Sequence, residues 1–226
     1  MKQLPLSVRL QDRATFASFL PGMNAEALAA ARAMAHGNDG LLYLHGVAGA
    51  GRSHLLQAIC SAVPGSGYFP LLELRALGEA VLEGSAALPL VALDDVDAVA
   101  GRAEWERQLF QLYNECRSNA VRLVVAASVP AGDLVLALPD LASRLAAMPH
   151  YALRALDEAQ QRAALQLRAA QRGVELTSES LLYLQRRFAR DMGSLNRLLD
   201  QLDLASLEEQ RRLTLPFIRR VLGDTG

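Results

Sequence analysis

Leu41-Leu42-Tyr43-Leu44-His45-Gly46-Val47-Ala48-Gly49-Ala50-Gly51-Arg52-Ser53-His54 is the stretch on which the fold turns. A short apolar run reads as a buried strand, a glycine-rich loop follows, and His54-Leu55-Leu56-Gln57-Ala58-Ile59 continues with helical character. Strand, loop and helix in this order match G-x-x-x-x-G-K-[ST]. There the glycines let backbone N–H groups wrap a polyphosphate, and the helix N-terminus adds the positive end of its dipole. Gly46, Gly51 and Ser53 fit, Gly49 and Ala50 lie within the loop, His54 follows it, and Arg52 stands where lysine is expected. Arginine keeps the charge but carries it on a wide planar fork, which inserts less easily between β- and γ-phosphates than an ammonium does. The stretch therefore points to nucleotide binding with slow hydrolysis; a glycine-rich turn that holds no phosphate is the alternative.

Outward from the loop, an alanine-rich helix is expected from Asn24 to about Ala35, stopped by His36-Gly37-Asn38-Asp39-Gly40. Further apolar runs read as strands at Phe69-Pro70-Leu71-Leu72-Glu73-Leu74, Leu90-Val91-Ala92-Leu93-Asp94-Asp95, Val121-Arg122-Leu123-Val124-Val125-Ala126-Ala127 and, last, Tyr151-Ala152-Leu153. Helix-like segments separate them, which is the alternation of a doubly wound parallel sheet. From Asp157 onward strand signals stop, and helices are expected at about 157–172, 178–189, 193–207 and 214–222, punctuated by Gly173 and Pro216. The expected organisation is a flexible N-terminal peptide over 1–12, an α/β base over 13–154 and a small helical lid over 155–226.

Asp94 and Asp95 close an apolar strand about 45 residues after the loop. Beside a phosphate loop, Asp94 is placed to hold Mg²⁺ directly or through water, together with Ser53, and Asp95 to orient an attacking water. Without a phosphate loop the same pair reads as a solvated turn. Ser128 ends the fourth strand at the carboxyl edge of the sheet, where open α/β folds bind ligands, so it reads either as a γ-phosphate contact or as a turn serine before Pro130.

Composition narrows the function classes. At 226 residues with 51% hydrophobic and 21% charged residues the chain reads as a globular protein of one large or two small domains. A net charge of −1 carries no basic footprint for general nucleic-acid binding, so any DNA contact is expected to be local or indirect. Cys60 and Cys116 sit in apolar helical patterns without metal spacing and are read as buried free thiols. The N-terminus has neither the charge nor the apolar run of a signal peptide, and a cytoplasmic location is expected. None of His36, His45, His54 and His150 suggests a metal ligand set or a nucleophile partner.

Pro139-Asp140-Leu141-Ala142-Ser143-Arg144-Leu145, after the fourth strand and before the fifth, resembles the arginine-finger box of AAA+ proteins. Thr15-Phe16-Ala17-Ser18-Phe19, Gly22, Asn24 and Ala27 resemble the opening segment of the initiator DnaA. With the loop from Gly46 to His54, Asp94-Asp95, Leu198-Leu199-Asp200-Gln201-Leu202-Asp203 and Leu213-Thr214-Leu215-Pro216-Phe217, the whole chain is similar to the Hda family of DnaA-related AAA+ regulators. DnaA relatives continue into a helix-turn-helix domain; this sequence stops at Gly226, so a reader of DnaA boxes is not expected.

The resemblance implies an AAA+ fold, a five-stranded parallel sheet with a helical lid. It implies ADP, or ATP, as a structural nucleotide on Gly46, Gly49, Ala50, Gly51, Arg52, Ser53 and His54, with adenine near Phe16 to Gly22 and Phe19 among its contacts. It implies Arg144 as a finger acting on DnaA-bound ATP, against the alternative of a surface arginine paired with Asp140. Gln3-Leu4-Pro5-Leu6-Ser7-Val8 resembles a peptide that docks on the replicative sliding clamp, the β subunit of DNA polymerase III, with Gln3 fixing register and Leu4, Leu6 and Val8 giving burial. The implied protein restrains replication initiation, meets DNA through the clamp near nucleoid and replisome, and is able to self-associate. One position departs: Gly193 follows Arg190-Asp191-Met192 where the lid sensor arginine belongs, so either Arg197, one turn later, substitutes or nucleotide affinity is reduced. An autonomous ATPase of helicase-loader type and a nucleotide-independent clamp adaptor remain the competing readings.

Overall fold

Alternation along three strands sets the layers. In β1 (Leu41–His45), β3 (Leu90–Asp94) and β4 (Arg122–Ala127) successive side chains enter opposite cores. Tyr43, Val91, Leu93, Leu123 and Val125 face one cluster, and Leu42, Leu44, Leu90, Ala92, Val124 and Ala126 the other. A strand buried on both faces reads as a near-continuous apolar run, and β3 is buried at all five positions, four apolar residues followed by Asp94. The computed structural model describes residues 14–37, 40–188, 192–209 and 213–223.

β2 (Gly67–Pro70) and β5 (His150–Ala152) complete a parallel sheet of order β2-β3-β4-β1-β5. One face carries α1 (Ala25–His36) and α2 (Arg52–Ala62); the other carries α3 (Leu71–Leu74), α4 (Ala103–Ser118) and α5 (Pro139–Ala146). Trp105, Leu109, Leu112, Tyr113 and Cys116 line the sheet-facing stripe of α4, and each fully buried large apolar side chain contributes about 1.5–3 kcal/mol. The run at 69–74 is not one strand: β2 ends at Pro70 and the remaining four residues turn into α3. Leu71 and Leu74, three apart on that turn, are the buried pair, a helical spacing within a run too short to show its period.

The described residues up to Arg154 and those from Ala155 onward form two compact units. The second holds α6 (Glu158–Gln171), α7 (Ser178–Phe188), α8 (Met192–Glu209) and α9 (Leu215–Val221). Asp157 starts α6 with a capping box, its Oδ1 accepting from the Gln160 N–H at 2.8 Å while the Gln160 side chain accepts from the Asp157 N–H at 3.1 Å. Leu165, Leu184, Leu195, Leu199, Leu202 and Ile218 fill its core, and Arg172 pairs with Asp200 across α6 and α8. Both cysteines are free and buried, and burial raises their thiols to about 11 for Cys60 and about 12 for Cys116. Among the described residues, no helix is long and apolar enough to cross a membrane.

Candidate functional site

The loop from Gly46 to Gly51 leaves β1 and enters α2 with no side-chain cap at the helix start. Gly51 is the N-cap at φ +103, and a Cβ there would lie 2.8 Å from the Phe19 ring. At Gly46 a Cβ would come within 2.3 Å of the Leu153 carbonyl oxygen. Both positions admit only glycine, one for its backbone and a ring, the other for close approach of the chain leaving β5. Phe19 is buried in the α1–α2 core, in edge contact with His54 at 5.4 Å between ring centres. His54 turns inward as well, its Nε2 2.9 Å from the Thr15 carbonyl and 3.1 Å from the Ser18 hydroxyl. Both therefore tie the opening segment to α2.

Arg52 pairs with the acids that follow β3. Its guanidinium lies 3.2 Å from Asp95 Oδ1 and 4.0 Å from Asp97 Oδ1, with the side chain 11% exposed. Its Nη1 is buried and has no hydrogen-bond partner among the described residues. Asp97 meanwhile accepts from the Ser128 hydroxyl at 2.6 Å and the Ser128 N–H at 3.1 Å. Asp94 is buried and accepts from the Tyr68 hydroxyl at 2.8 Å and the Asp95 N–H at 3.0 Å. Ser53 and Gln57 lie near the Tyr68 phenol and oppose its rise, which puts it between loop and acid. Burial and the Asp94 charge push the Tyr68 phenol well above its ordinary range and keep it a donor.

Asp95 sits at φ 53, ψ 50 directly after β3, and burial, then Asp94, raise its carboxyl to about 6 against the pull of Arg52. β4 intervenes between β1 and β3, so the acids reach the loop through Arg52 and Tyr68 rather than by strand adjacency. A diphosphate fits these residues: an uncapped helix start, a glycine loop and a buried guanidinium N–H without an acceptor all favour an anion. The Ser53 hydroxyl would hold Mg²⁺ alongside phosphate oxygens, with Asp94 behind Tyr68; phosphates plus one or two protein oxygens are the usual Mg²⁺ shell.

Arg144 lies elsewhere, exposed on the last turn of α5 with its guanidinium 5.9 Å from the Tyr113 ring centre. Among the described residues no ion pair joins it to Asp140. Gly193 and Arg197 both fall in α8; the Arg197 side chain, like Gln3, Leu4, Leu6 and Val8, lies outside the described residues. The sequence reading missed Tyr68 and Asp97. Asp97 had a signal, two residues past the acidic pair, whereas Tyr68 had none.

Residues 157–222 match the family model of the Hda lid domain. The chain is similar to domain III of the Thermotoga maritima replication initiation protein DnaA, at 21% identity and a TM-score of 0.75, covering 94% of this chain and 97% of that one. AMPPCP-bound DnaA from Aquifex aeolicus matches at 18% identity and a TM-score of 0.69, over 88% of this chain and 68% of that one. The Thermotoga maritima Holliday junction branch migration motor RuvB matches at 15% identity and a TM-score of 0.53, over 87% and 66%.

Proposed function

We propose that this chain, an Hda-like, DnaA-related AAA+ protein, restrains replication initiation by stimulating hydrolysis of ATP held by DnaA, with Arg144 as the finger. The observation that carries the reading is a division of roles. The polar side chains beside the loop, Asp95 with Arg52 and Asp97 with Ser128, are engaged with one another, while Arg144 is exposed on α5. A guanidinium delivered to a γ-phosphate supplies permanent charge and several N–H donors to an oxygen that gains charge in the transition state. Fingers of this kind contribute roughly 10³–10⁵ in rate.

The protein's own adenine nucleotide, ADP in this reading, is a structural group. The loop amides and Arg52 Nη1 bind phosphates, and Mg²⁺ on Ser53 would neutralise them. Arg52→Ala is expected to weaken ADP binding roughly 10–100-fold, the worth of a charge-assisted hydrogen bond; unchanged affinity would remove Arg52 from the site. Residues 3–8 dock on the sliding clamp, which brings the protein to DNA. The test is hydrolysis of ATP on DnaA with clamp-loaded DNA, comparing the unaltered protein with Arg144→Ala and Gln3→Ala. Loss of stimulation in both supports the reading, and full stimulation by Arg144→Ala overturns the finger.

A further inference from the structure

Glu106 is completely buried in α4, and its carboxylate is held by backbone N–H groups. Oε1 accepts from Gly101 at 2.7 Å and from Ala137 at 3.1 Å, and Oε2 accepts from Leu138 at 2.7 Å. Leu138 is the N-cap of α5, which has no side-chain cap of its own and begins with Pro139, a residue without an N–H to offer. The start of α5 is thus fixed by a carboxylate from another helix, at the end where the helix dipole favours negative charge. At its other end Arg144 lies over Tyr113, seven residues beyond Glu106 and so two turns along the same face of α4. Helix α4 grips α5 at both ends.

We propose that Glu106 is a positioning residue for Arg144: its carboxylate sets the start of α5 and thereby where the guanidinium is presented. This rests on the finger reading given above. Helix α5 has eight residues and buries Leu141 and Leu145, so it moves as one piece, and a shift at Leu138 is carried to Arg144. Glu106→Gln keeps shape and volume but turns an NH₂ toward the Leu138 N–H, setting donor against donor. Misplacement of a catalytic group by about 1 Å costs on the order of 100-fold.

The experiment has two arms on the full chain. Hydrogen exchange of Glu106→Gln alone is expected to quicken about tenfold or more at Ala137, Leu138 and through α5 while α1 and α2 hold; no local change overturns the proposal without reference to any partner. In the second arm, at saturating DnaA·ATP, Glu106→Gln is expected to lose roughly 10–100-fold of the stimulated rate, and to add no loss in an Arg144→Ala background. A further loss there would mean that Glu106 acts other than through Arg144, overturning it. Full stimulation by Arg144→Ala would instead sink the finger itself, a distinguishable failure. Glu106→Asp, which keeps the charge but withdraws it by one methylene, serves both arms if the glutamine variant does not fold.

Discussion

Asp95 is a carboxylate whose ionisation costs the fold. Burial comes first among the causes, then Asp94, with Asp97 and Glu73 adding and Arg52 opposing, and the carboxyl rises from 3.8 to about 6. A group that holds its proton more tightly folded than unfolded makes stability fall as pH rises through that window, here from about 4 to about 6. Thermal melts of Asp95→Asn should therefore gain on the unaltered protein across this range and stay ahead by about 1–2 kcal/mol above it, discounted for partial exposure. An offset that does not vary with pH would contradict this account of Asp95. At this scale the sequence reading rested on contiguous patterns: Gly46 to Ser53, Asp94-Asp95 and the box around Arg144. Tyr68, 26 residues from Asp94, and Glu106, 31 and 32 residues from Ala137 and Leu138, acquire partners only through the fold. The fate of Arg52 was half legible. Its place in the loop was plain from the sequence, but its turn toward Asp95 depends on where β3 lies.

Gly46 illustrates what an element boundary demands. Its missing Cβ leaves room for the Leu153 carbonyl just past β5, and Leu153 N–H donates to the His45 carbonyl at 2.6 Å. Gly46→Ala should lower stability by about 2–4 kcal/mol, because the obstacle is backbone and cannot rotate away; a melt shifted by less than 1 °C would contradict this close packing. Long elements were readable from period alone, and the lid helices stand within a residue or two of expectation. The 69–74 run was not, since its first two residues end a strand and its last four form a helical turn under one apolar signal.

The whole molecule is two compact units that meet in sequence at Arg154. Asn24 clasps that residue from within the first unit: its Nδ2 donates to the Arg154 carbonyl at 2.9 Å, and its Oδ1 accepts the Arg154 N–H at 2.8 Å. Asn24 is buried, so Asn24→Ala leaves two backbone groups without partners, at a cost of about 1–3 kcal/mol. Limited proteolysis at 154–156 should quicken several-fold in this variant while the cores stay resistant; an unchanged pattern would mean that the clasp does not hold the end of the base. The two-unit plan was legible because strand signals stop where the lid begins. The measurement that reaches the central claim most directly is single-turnover hydrolysis with labelled ATP prebound either to DnaA or to this protein, the two then mixed on clamp-loaded DNA. Label lost quickly from DnaA, slowly from this chain, and no longer stimulated with Arg144→Ala is the predicted result; rapid loss from this chain's own site would contradict it.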